Sequence, residues 1–134
     1  MAKLTQIEGI GNTLAGKFRK AGVGTTEKLL EMGAEREGRD RIAKAAGVDE
    51  KSMLRFVNYA DLMRIKGVGG EFAELLEAAG VDSVPELAQR KPENLHTKMK
   101  EINESRQVVR RIPSAKVIRS WVDQARKMGS AVRH

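Results

Sequence analysis

The chain predicts an all-α fold, two pseudo-repeated multi-helix halves packed as one compact domain. Apolar residues recur at three- and four-residue spacing along its length, and no stretch alternates as a half-buried strand would. A Gly-x-Gly turn opening onto an amphipathic run occurs twice, at Gly9-Ile10-Gly11 and Gly67-Val68-Gly69. The residues around the two copies match at a constant offset of 58: Ile7 with Ile65, Ala15 with Ala73, Ala21-Gly22-Val23 with Ala79-Gly80-Val81, and Leu29 with Leu87. After a longer linking segment in the second copy, Phe56-Val57 finds its counterpart in Trp121-Val122 and Ala60 in Ala125. Duplication of one helical unit explains the pattern, with halves at 1–63 and 64–134.

Taken in order, Lys3 to Ile7 forms a helical turn leading into the first glycine turn. Asn12 or Thr13 caps the next helix, which turns Leu14, Ala15, Phe18 and Ala21 inward, sends Lys17, Arg19 and Lys20 to solvent and ends at Gly22. Thr25 or Thr26 starts a short helix carrying Leu29, Leu30 and Met32, and Gly33 to Gly38 reads as a break. Arg39 to Ala46 is helical up to Gly47, and Asp49 caps a helix with Met53, Leu54, Phe56, Val57 and Ala60 apolar. Beyond the second turn, Pro85 fits a first helical turn, and Asn94 to Asn103 is helical with Leu95, Met99 and Ile102 inward. Ser114 caps a last helix with Val117, Ile118, Trp121, Val122 and Ala125 inward and Lys116, Arg119, Asp123 and Arg126 outward; from Gly129 on the chain is expected to fray. Phe18, Phe56, Phe72 and Trp121 are core by position, and Met32, Met53, Met63 and Met99 fill gaps.

Charge is placed unevenly. Residues 1–97 hold 15 Lys and Arg against 15 Asp and Glu, whereas 98–134 hold 10 against 3, so the whole net charge of +7 falls in the last third. A polyanion would dock there. Without cysteine the chain has no disulfide and no thiolate metal site, which fits a reducing compartment. No apolar run reaches the length of a membrane span, and the first residues do not read as a signal peptide, so a cytoplasmic protein without membrane attachment is expected. His96 and His134 stand apart from acidic partners, and no serine has an evident base, so neither a metal site nor a nucleophilic triad is expected. The expectation is no enzyme and no cofactor.

The two glycine turns carry the chemistry. A tight turn at a helix start leaves backbone N–H groups unpaired at the positive end of the helix dipole, where a phosphate is favoured. Candidate binding residues are therefore Gly9, Ile10 and Gly11 with Lys17 and Lys20, and Lys66, Gly67, Val68, Gly69 and Gly70 with Arg110, Arg111, Lys116 and Arg119. Arg110 and Arg111 precede Pro113-Ser114 and stand near a helix start, as a phosphate clamp would. Carboxylates depart from this pattern: Glu8 sits in the first turn, and Glu71, Glu74 and Glu77 follow the second.

Ile7-Glu8-Gly9-Ile10-Gly11 and Ile65-Lys66-Gly67-Val68-Gly69, each with Ala four residues after the second glycine, resemble helix-hairpin-helix motifs. Ala79 to Leu87 is similar to the segment after the hairpin in C-terminal domains of bacterial RNA polymerase α-subunits. Nearly the whole chain resembles an uncharacterised bacterial family of tandem helix-hairpin-helix proteins, a domain of unknown function. The resemblance implies hairpin amides holding nucleic-acid phosphates independently of sequence, with double-stranded DNA ahead of RNA as partner. The competing expectation is a protein-interaction module whose glycine turns are structural. The sequence sets no oligomeric state.

Overall fold

A computed structural model describes residues 2–132 of the chain; Met1 and the isolated His134 lie outside the described residues. Among these residues there are eight α-helices, one 3₁₀ turn and no named strand, which agrees with the all-α expectation. Among the described residues no helix is long and apolar enough to cross a membrane. Contacts divide the chain into two units, one running to Asp61 and taking in the segment from Ala131 on, the other Leu62–Ser130.

The first unit opens with the 3₁₀ turn Leu4–Gln6, followed by α1 (Asn12–Lys20), α2 (Thr26–Gly33), α3 (Arg36–Ala46) and α4 (Glu50–Leu62, its last residue passing into the second unit). Both α1 and α2 pack on α3. Leu4, Ile7, Ala15, Phe18, Val23 and Leu29 are fully buried, and Phe18 meets Phe56 edge-on with ring centroids 6.3 Å apart. Such a pair adds about 0.5–1.5 kcal/mol beyond its buried area. The Thr25 hydroxyl accepts the Lys28 N–H at 3.1 Å and caps α2, an interaction of about 1 kcal/mol. Asp49 caps α4 by accepting the Ser52 N–H at 3.3 Å.

The break expected at Gly33 to Gly38 is there but shorter: Ala34 and Glu35 alone separate α2, whose last residue is Gly33, from α3, which begins at Arg36 and includes Gly38. Gly38 permits close approach instead of interrupting a helix, while Gly33 both ends α2 and admits a neighbour. A Cβ on Gly38 would lie 1.9 Å from the Met32 carbonyl oxygen, and one on Gly33 would lie 2.7 Å from Val57 Cγ2. The turn between α2 and α3 is closed by the buried Arg39, whose Nη1 donates to the carbonyls of Gly33 and Ala34 at 3.0 and 2.9 Å.

The second unit holds α5 (Gly70–Ala78), α6 (Val84–Ala88), α7 (Pro92–Arg106) and α8 (Ala115–Lys127), with α5 against α7 and both α6 and α7 against α8. Ile118, Trp121, Val122 and Ala125 are buried as expected, but Val117 is 41% exposed. At about 100° per residue it stands roughly a quarter-turn from the middle of that stripe. Phe72 is half-buried and Met32 and Met63 are too, so these three are not full core residues. After α8 the chain does not simply fray, since Val132 is buried.

The backbone repeats as the residues do. Gly9 and Gly67 share φ values of +96° and +97°, and Gly22 and Gly80 share +88° and +93°. Gly11 and Gly69 precede their helices at φ −90°, ψ −174° and φ −94°, ψ −170°. The Thr25 cap has its counterpart in Ser83, whose hydroxyl accepts the Glu86 N–H at 3.3 Å. The Val23 N–H donates to Phe18 and the Val81 N–H to Leu76, both at 2.8 Å.

Candidate nucleic-acid interface

Each glycine turn combines two glycines with different jobs. The first, Gly9 or Gly67, sits in the left-handed region that L side chains rarely adopt. Each also backs onto the aromatic that the sequence pairs across the repeat: an added Cβ would reach Phe56 Cε1 at 3.0 Å from Gly9 and Trp121 Nε1 at 2.9 Å from Gly67. Those glycines are demanded from within. The second, Gly11 or Gly69, has ordinary extended dihedrals, and a Cβ there would meet nothing within 4 Å. Neither backbone strain nor internal packing requires glycine at these two positions.

The middle residues are anchors. Ile10 and Val68 are buried, and their N–H groups donate to the carbonyls of Ile7 and Ile65 at 3.1 Å. Their amides are therefore committed to the turn, whereas the N–H groups of the following helix starts have no intrahelical partner. Neither Gly11 nor Gly69 supplies a side-chain cap, and a first helical turn has no internal partners for its N–H groups. Asn12, Thr13, Gly69 and Glu71 are exposed and Gly70 is half-buried, so the first-turn backbone borders solvent. Asn12 and Thr13, expected as caps of α1, lie inside it, and Gly11 takes the cap position.

Basic residues are distributed unequally about the two turns. Lys17 and Lys20 are exposed but belong to the last turn of α1, and Lys20 lies about 12 Å along the axis from the amides at its start. Glu8 is exposed in the turn itself. In the second unit Lys66 is exposed, and its main chain is held by Gln124 on α8: Oε1 accepts the Lys66 N–H at 2.9 Å and Nε2 donates to the Lys66 carbonyl at 3.2 Å. Arg110 and Arg111 share a cavity of about 750 Å³ with Glu71 and Phe72 of the first turn of α5. They thus share a lining with the start of α5, whereas the sequence set them near the start of α8.

Lys116 is exposed in the first turn of α8, and Arg119 pairs with Glu93 of α7. Glu93 is held below the usual carboxylate range by its own backbone N–H and then by the Arg119 guanidinium. Arg126 donates from Nε to the Ala88 carbonyl at 3.1 Å, tying α8 to the end of α6. Part of the outward basic stripe of α8 is therefore used in holding helices together, which leaves Lys116 as its cation nearest the helix start.

Residues that the sequence did not mark lie in the last turn of α7 and just after it. Asn103 receives the Val109 N–H on Oδ1 at 3.0 Å and donates from Nδ2 to the Val109 carbonyl at 2.9 Å. Gln107 caps α7 at φ +51°, its N–H donating to the Asn103 carbonyl. Together they shape the loop that carries Arg110 and Arg111. A glutamine in the left-handed region carries no sequence signal, since glycine or asparagine is the usual occupant.

Among the described residues no group of three acidic or histidine side chains is placed to hold a metal ion. No curated protein and no solved structure gave a significant match to the chain. A family model does: residues 8–128 match the one described as a domain of unknown function, DUF4332, and the chain belongs to that family.

Proposed function

We propose that the chain is a tandem helix-hairpin-helix protein that binds nucleic acid without catalysis and largely without sequence preference, double-stranded DNA ahead of RNA. The observation that carries this reading is the pair Gly11 and Gly69, glycines that their dihedrals do not demand and in front of which the space is open. A serine or aspartate would cap the helix better at either position. What glycine contributes is close access to the first-turn amides, and an anion of phosphate size makes use of it. Lys66, Arg110 and Arg111 add cationic groups in the second unit. Amides carry no base-edge code, so such binding discriminates little between sequences. A cytoplasmic setting goes with this reading, a cysteine-free chain being at home in a reducing compartment.

The test is an anisotropy titration of a random duplex at several salt concentrations. With roughly 3–6 phosphates neutralised, log affinity falls against log salt with a slope of about −3 to −5. The Gly11→Ala/Gly69→Ala double variant keeps its helicity and loses about tenfold or more in affinity, the effect of a hindered hydrogen bond to a charged group. Absence of binding at low salt overturns the reading in favour of a protein-interaction module, to which the exposed carboxylates Glu8 and Glu71 beside the turns are better suited.

A further inference from the structure

We infer that the cavity beside the second glycine turn accepts an unpaired nucleobase, so that nucleic acid with an extrahelical guanine is bound in preference to continuous duplex. This rests on the nucleic-acid reading above and narrows it.

The cavity, about 750 Å³, lies in the range of small-ligand sites and exceeds what a phosphate alone would fill. Its chemistry is mixed. Arg110 and Arg111 are offset by Glu71 and Glu104 in the same lining, so it is no cradle for a chain of phosphates. Phe72 supplies an aromatic surface, half-buried, with its ring centroid 5.4 Å from that of the fully buried Trp121 and tilted by 51°. An aromatic backed by a buried ring is a fixed stacking platform, and base–aromatic stacking contributes wherever a base is free of its own stack.

The carboxylates choose among bases. Ionised Glu71 and Glu104 only accept hydrogen bonds, and guanine presents N1–H and the N2 amino group side by side as donors, whereas thymine offers a single imide N–H. The arginines suit the phosphate of the same nucleotide. Glu71 belongs to the first turn of α5, directly after Gly69 and Gly70, so a backbone phosphate on those amides brings its base to the cavity.

The loop is built to hold this shape. Both hydrogen-bonding groups of Val109 are taken by Asn103, and Gln107 is kept at φ +51°, where a residue with a Cβ rarely sits. A linker serving connection alone needs neither device.

The experiment compares the full chain on four duplexes of equal length: continuous, and with a single bulged guanosine, thymidine or abasic site. The abasic bulge reproduces the bend without the base. The guanosine bulge is expected to bind about tenfold more tightly than the abasic bulge, thymidine falling between. Phe72→Ala removes that preference, with Phe72→Leu as the variant that keeps side-chain volume, and Glu71→Gln narrows the gap between guanosine and thymidine. Equal affinity for guanosine and abasic bulges, or a preference that survives in both Phe72 variants, overturns the inference while the nucleic-acid reading stands. No binding to any of the four overturns both.

Discussion

The carboxamide of Gln124 holds the main chain of Lys66 on both sides, accepting from its N–H at 2.9 Å and donating to its carbonyl at 3.2 Å. The two peptide units that flank Lys66 are each held by one bond, so neither rotates without breaking it and the second turn is pinned to α8 before any ligand arrives. Gln124→Ala removes both bonds and is expected to lower stability by about 1–2 kcal/mol. Denaturant unfolding followed by circular dichroism measures it. An unchanged midpoint would mean the grip is not part of the fold's stability.

The two glycines of the second turn are predicted to respond oppositely to alanine. Gly67→Ala faces φ +97° and a Cβ within 2.9 Å of Trp121 Nε1, and loses about 1–3 kcal/mol. Gly69→Ala meets neither obstacle and stays within ~1 kcal/mol of wild type. Trp121 is the single tryptophan and is buried, so its emission reports unfolding in both variants.

Gly38→Ala is expected to destabilise by about 1–3 kcal/mol or more, because the new methyl group meets the Met32 carbonyl, which is main chain and cannot swing aside. Gly24→Ala, with open space around its Cβ position, is the control.

Glu27, Asp49 and Glu93 are held below their ordinary values. The Thr26 hydroxyl lowers Glu27, the Ser52 hydroxyl and then its N–H lower Asp49, and its own backbone N–H followed by Arg119 lowers Glu93. A carboxyl depressed in the folded state stabilises it above the unfolded-state value, and that contribution is lost as pH falls through the folded one. Thermal stability is therefore expected to be insensitive to these groups near neutral pH and to decline through the acidic carboxylate range. Asp49→Asn keeps a capping side chain and flattens part of that decline.

How far the sequence can be read depends on which physical devices leave residue-specific marks. Left-handed turns at Gly9, Gly67, Gly22 and Gly80 require glycine, and the Thr25 and Ser83 caps require short oxygen-bearing side chains, so the offset of 58 was visible as letters and returns as dihedrals. The pairing of Phe56 with Trp121 has the same standing, since each closes the floor of its own turn. Gly38 misled because a glycine that admits a neighbouring backbone looks the same in a sequence as one that ends a helix. Val117 misled because adjacency to Ile118 says little about a residue a quarter-turn away. The Gln124 grip, the Asn103 clamp and the cavity beside Phe72 had no signal, being made by side chains that meet only once the helices are packed.

The central claim is that outward-facing amides at the two helix starts receive phosphate. Its most direct test is amide chemical-shift mapping of the isotopically labelled chain during titration with a random duplex. The largest shifts are expected at Gly69, Gly70 and Glu71 and at Gly11, Asn12 and Thr13, diminishing as salt is raised. Shifts that leave both helix starts untouched while other surfaces respond would contradict it.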